Sequence, residues 1–189
     1  MDITFKKIDF EKSLHYYLKD KNYYKPSDCH MNVYTRFFDK NYGEVELRDL
    51  HFSYVTGLML FTDGEHKYCV VHSWIEDRGM VIDTTSLSSS HLALVSSPST
   101  QLIFETKKII NEHVSYAPYF VISNANLTKK IQELYLKSNR IENKFLRAVE
   151  DYLKSICDSV SQDSNFLYQI QEKYGYEFKQ GDFLIGIYS

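Results

Sequence analysis

The sequence predicts an α+β fold in one domain: a helical N-terminus, an antiparallel meander and a helical last third. Between Phe52 and Thr84, runs of β-branched and aromatic residues are separated by two short turn signals. From Leu127 onward, apolar residues recur instead at three- and four-residue steps. Of the 189 residues, 43% are hydrophobic, enough to close one sizeable core. With only three prolines and seven glycines, no stretch reads as a linker, so residues 1–189 are expected to form a single domain.

Taken in order, Asp9 is a helix cap ahead of Phe10, Leu14, Tyr17 and Leu18 at helical spacing. Residues 22–27 read as a loop: Pro26 disfavours helix at Lys25, and Ser27 is a good N-cap. A helix over Asp28–Lys40 follows, with Met31, Tyr34 and Phe38 on one side and Val33 and Phe37 beside them; Asn41-Tyr42-Gly43 ends it. Phe52–Phe61, Lys67–Ile75 and Met80–Thr84 read as strands joined by Thr62–Glu65 and Glu76–Gly79. Ser86–Ser99 reads as a Ser-rich loop, and further strands are expected over Leu102–Thr106 and Tyr119–Ser123. Leu127–Lys137 is a helix, and Asn139 with Glu142 forms a capping-box pattern for a second one carrying Phe145, Val149, Leu153, Ile156 and Val160. Ser164 starts a third helix that Gly175 stops, and Phe183–Tyr188 closes as a short strand.

The net charge of −3 argues against a general nucleic-acid partner, because phosphate binding needs a dense basic face. The N-terminus has no signal-peptide core, no segment is apolar enough for a membrane helix, and three cysteines make no disulfide framework. A cytoplasmic protein, or an effector exported without a signal peptide, is the expectation.

The residues that carry chemistry are Cys29, His72 and Asp83. Nucleophilic sulfur must be thiolate, which is scarce for a free thiol at neutral pH. Capped by Ser27, Cys29 falls at the second helical position, where unpaired N–H groups and the helix dipole favour a negative sulfur and help hold an oxyanion. A turn centred on Asp77-Arg78 sets Ile75 against Met80 and Trp74 against Val81, and hence His72 directly opposite Asp83. Such cross-strand partners have Cβ atoms roughly 4.5–5.5 Å apart. A carboxylate there orients one imidazole nitrogen and leaves the other as base for the thiol.

Ser27-Asp28-Cys29-His30-Met31-Asn32, Gly57, Val71-His72-Ser73-Trp74 and Val81-Ile82-Asp83-Thr84-Thr85 together resemble the papain-like and transglutaminase-like superfamily of cysteine enzymes. Its members place Cys at a helix start, His on a following strand and Asp or Asn on the next. Small bacterial and phage members carry similar His-x-Trp and Ile-Asp-x-Thr strands. The likeness covers roughly residues 22–123, leaving 124–189 as a mainly helical cover. It implies a papain-like core with Cys29 as nucleophile, His72 as base and acid, and Asp83 as orienting acid, acting on a protein, peptide or small acyl substrate without a cofactor. Papain supplies an oxyanion Gln shortly before its cysteine; here that stretch offers Asn22, Tyr23 and Tyr24. Asn32 and Trp74 are further candidates for lining the cleft, Asn32 serving equally as a loop anchor. The activities implied are hydrolysis (peptidase, amidase or deamidase), transglutamination or other acyl transfer. A non-catalytic binding or inhibitory protein on the same fold is the alternative.

Zinc is not expected: Cys69 and His72 lie three apart on one strand and face opposite ways, and Cys29 and His30 diverge as helix neighbours. Cys69 and Cys157 read as core or structural thiols.

Overall fold

The computed structural model describes residues 3–20, 28–38 and 51–180. Ser27, the oxyanion candidates Asn22, Tyr23 and Tyr24, the helix end at residues 39–43 and the strand expected over Phe183–Tyr188 lie outside them. Among the described residues the architecture is α+β, with seven α-helices around a five-stranded sheet. The chain runs α1 (Phe10–Asp20), α2 (Cys29–Val33), β1 (Phe52–Thr62), β2 (Lys67–Asp77), β3 (Met80–Ile82), α3 (Thr84–Ser88), α4 (Thr100–His113), β4 (Val114–Ser123), α5 (Asn124–Lys137), α6 (Glu142–Gln162), α7 (Ser164–Tyr174) and β5 (Glu177–Phe178).

The strand order is β3-β2-β1-β4, antiparallel throughout, with short β5 joining β2 in parallel. Period-two alternation sends the two sets of side chains to opposite faces. Val55, Met59, Val70 and Trp74 pack with α1, α3 and α4 through Phe10, Leu14, Leu87 and Ile110. On the other face Tyr54 and Ile75 meet Val149, Leu153 and Ile156 of α6. Leu58, Leu60 and Cys69 meet Val160 and Ile170 there. The sheet is curled enough for one short segment to tie its outer strands. Lys6 exchanges backbone hydrogen bonds of 2.8 and 2.9 Å with Tyr116 of β4, and Ile8 bridges Val81 of β3.

One feature of the sheet positions the site. On the edge of β2 away from β1, β3 pairs only residues 75–77 and β5 only Tyr68 and Cys69. Among the described residues the stretch 70–74 between them has no neighbouring strand on that side, and α2 packs against β2.

Several expectations are corrected. The β2–β3 turn is centred on Arg78-Gly79, pairing Asp77 with Met80 and Ile75 with Ile82. Both central residues have positive φ (51° and 82°), and the glycine supplies one at no steric cost. β3 ends at Ile82 because Asp83 turns the chain into α3, capping Thr85 and Ser86 N–H at 3.0 and 3.2 Å. Part of the expected Ser-rich loop is therefore α3, followed by a helical turn over His91–Leu94. The strand expected at Leu102–Thr106 is helix α4, capped by Ser99; Leu102, Ile103 and Ile110 share its packed face. Short apolar runs are ambiguous between the two periods. The helix expected over Asp28–Lys40 is α only through Val33, then widens to a π-turn over Tyr34–Phe38. The wider turn lets both Phe37 and Phe38 reach β1, edge-on to Phe52 and Tyr54. Asn139 makes no capping box: it and Arg140 are left-handed (φ 54° and 62°), and α6 begins without a side-chain cap.

Candidate active site

Cys29 is the first residue of α2, one position earlier than expected, with Asp28 rather than Ser27 at the cap. The helix sets the sulfur beside β2, close enough to His72 for each to shift the other's ionisation. His72 Nε2–H donates to Asp83 Oδ2 at 2.8 Å, which leaves Nδ1 for the sulfur. Under the observed register His72 and Asp83 are diagonal rather than directly opposed. The offset from the expected pairing is two residues, not one, so both side chains stay on the same face.

Asp83 is 1% exposed and fully engaged. Its Oδ2 also accepts from Tyr116 O–H at 2.8 Å and from Ser86 Oγ–H, while Oδ1 accepts the two capping N–H groups. Its own N–H donates to Ser13 Oγ at 3.0 Å, tying α1 to the site. Burial raises its carboxyl pKa, but the His72 charge and the His72, Ser86 and Tyr116 hydrogen bonds outweigh that, and the net shift is downward. For His72, burial works against the charged ring, yet Asp83 and the Cys29 thiolate hold it well above the ordinary histidine value. For Cys29, burial raises the thiol; the His72 charge, hydrogen bonds from His30 and His72 and the His30 charge bring it down to about 6. Two imidazoles therefore lower the thiol, where the helix start and His72 were expected to. Cys69, buried on the opposite face, is pushed up to about 12.

Trp74 is fully buried, its ring stacked 6.4 Å from that of His72, and its N–H donates to Glu76 Oε1 at 3.3 Å. It backs the imidazole and does not line a cleft. Gly57, paired with His72 across β1, leaves room for that indole: a Cβ there would lie 2.9 Å from Trp74 and 2.1 Å from the Ala117 carbonyl. Asn32 is buried and its amide donates to Thr85 Oγ1 at 3.3 Å, so it anchors α2 to α3.

Sequence reasoning missed Tyr116, Ser86, Ser13, His30 and Cys157. His30 does not diverge from Cys29: its ring lies close enough to the sulfurs of Cys29 and Cys157 for both to raise its pKa, with Asp28 Oδ1 3.4 Å from its Nε2. Cys157, expected as a core or structural thiol, is partly exposed and reaches toward β2. The only available signal was that Cys29 and His30 are adjacent; the other contacts are made by the fold. Among the described residues, no group of three or more His, Cys, Asp or Glu side chains is placed to hold a metal ion. No helix among them is long and apolar enough to cross a membrane.

Comparison with protein-family models, with curated proteins and with solved structures finds no match to this chain.

Proposed function

We propose that this protein is a cysteine-dependent enzyme acting on acyl bonds, with Cys29, His72 and Asp83 as its triad and hydrolysis as its reaction. The observation that carries the reading is that the Cys29 sulfur and the His72 ring lie close enough to shift each other's ionisation, while His72 is hydrogen-bonded to the buried Asp83 carboxylate. Helix-borne Cys, strand-borne His and an Asp following the next strand, in that order, also support kinship with the papain-like and transglutaminase-like enzymes.

In this mechanism the Cys29 thiolate attacks the acyl carbon, and the N–H groups of the first turn of α2 receive the oxyanion. Collapse expels the leaving group, which takes its proton from the His72 imidazolium, and leaves a thioester on Cys29. His72, neutral now, removes a proton from water; the hydroxide oxygen attacks the thioester, and Cys29 leaves as thiolate. Asp83 holds the ring orientation throughout and stabilises its charged form. An amine in place of water makes the same site a transglutaminase, and another acceptor makes it an acyltransferase. Water needs no dedicated binding site, which favours hydrolysis.

The test is chemical. Iodoacetamide should modify Cys29 of the native protein well before Cys69 and Cys157, and an activated acetyl ester should leave an acetyl group on Cys29, found by peptide mapping. His72→Ala should slow both. Equal labelling of the three cysteines, with no acetyl adduct, would overturn the reading in favour of a binding protein.

A further inference from the structure

Cys157 takes no part in that reaction, yet its thiol stands beside the site. On α6, it is partly exposed, as Cys29 is, whereas Cys69 is buried. Its sulfur lies 3.8 Å from Ser73 Oγ, the neighbour of His72 on β2. Ser73 is itself held by Tyr54 and Thr56, whose hydroxyl oxygens are 3.0 and 2.9 Å away. The His30 ring lies close enough to the sulfurs of both Cys29 and Cys157 for each to raise its pKa, so one imidazole neighbours the two thiols. Both sulfurs also act electrostatically on the Tyr54 hydroxyl. Helix α2 packs on α6, and each packs on β2.

The geometry points to Cys157 as a resolving thiol: a peroxide oxidises Cys29, and Cys157 captures the product as a Cys29–Cys157 disulfide joining α2 to α6. The Cys29 thiolate attacks one peroxide oxygen; the O–O bond breaks, a sulfenic acid forms, and the departing hydroxide is protonated to water. The Cys157 sulfur then attacks the sulfenic sulfur, the S–O bond breaks, and the second hydroxide leaves as water. The two thiols lose two electrons and two protons in total, and the peroxide is reduced to two waters. His30, beside both sulfurs, is placed to supply and accept protons in both steps. The disulfide protects the nucleophile, because a sulfenic acid without a nearby thiol goes on to irreversible sulfinic and sulfonic acids. The inference rests on the nucleophilic Cys29 of the proposed function, but not on its acyl substrate.

The experiment treats the full chain, reduced and freed of reductant, with hydrogen peroxide. Remaining thiols are blocked with N-ethylmaleimide, and trypsin digestion without reductant is followed by mass spectrometry. The expected product is tryptic peptide 22–36 joined to peptide 155–173, separated again by dithiothreitol. Cys69→Ser should leave that product unchanged. Cys157→Ser should abolish it and accumulate sulfinic and sulfonic Cys29 severalfold over wild type. Should that variant fail to fold by circular dichroism, Cys157→Ala replaces it. Cys29 overoxidised in wild type as fully as in the variant, or joined to Cys69, would overturn the inference. The two readings fail separately: joined peptides with no acetyl adduct sink the hydrolase alone, and an acetyl adduct without joined peptides sinks the resolving thiol alone.

Discussion

The Cys29 sulfur sits between two imidazoles, and that arrangement makes a pH prediction. With the thiol brought to about 6 and His72 held well above its ordinary value, thiolate and imidazolium coexist at neutral pH. The iodoacetamide rate at Cys29 should therefore rise through pH 6 and level off by pH 7, while Cys69, at about 12, stays unreactive. His72→Ala removes the largest of the lowering influences on Cys29, so its rise should move to higher pH. At pH 7 the rate should fall by about three- to tenfold, because the higher intrinsic nucleophilicity of a more basic thiolate offsets part of the lost ionisation. Stopped labelling across a pH series reads both effects. The grouping of Cys29, His72 and Asp83 was legible because each member carries a local sign: a Cys after a loop and Pro, a His two before a strand Trp, an Asp closing the next strand. Tyr116 and Ser86 were not, since Tyr116 reaches Asp83 from 33 positions away and Ser86 was read as loop.

Among the strands, the instructive error is the β2–β3 register. Centring the turn one residue early displaced the pairing by two, and a displacement of two returns every side chain to its own face. The face assignment of His72 and Asp83 was thus protected, whereas their direct opposition was not. Helix α4 had no such protection, because Leu102–Thr106 suits either period and only Ile110, a further turn on, reveals the helical one. The β1–β4 pairing shifts between Thr56 and Gly57, at the place where the Trp74 indole presses on Gly57. Gly57→Ala must displace the Ala117 carbonyl or the indole, and should cost about 1–3 kcal/mol in urea unfolding. It should also slow Cys29 labelling, since the indole would be driven toward the imidazole it backs.

For the molecule as a whole, the hairpins and the C-terminal helices among the described residues were legible from periodicity, but the tie from Lys6 and Ile8 to the outer strands and the packing of α2 on β2 arise from long-range pairing. Its acid stability should report Asp83. The carboxyl is depressed below 3.8 in the fold, so its contribution is present above that value and is lost as pH falls through the depressed one. Asp83→Asn should cost about 3–5 kcal/mol at neutral pH, because it leaves buried donors unmatched. Its stability should also decline less steeply than wild type below about pH 4, as followed by urea midpoints. Asp83 does two jobs, orienting an imidazole and starting a helix, and only one of them concerns chemistry. A descendant of this chain that had abandoned catalysis would still be selected to keep the carboxylate, simply to fold. Retention of aspartate there in relatives would therefore say little about activity, and the telling position would be the thiol, which the two imidazoles bring down to about 6.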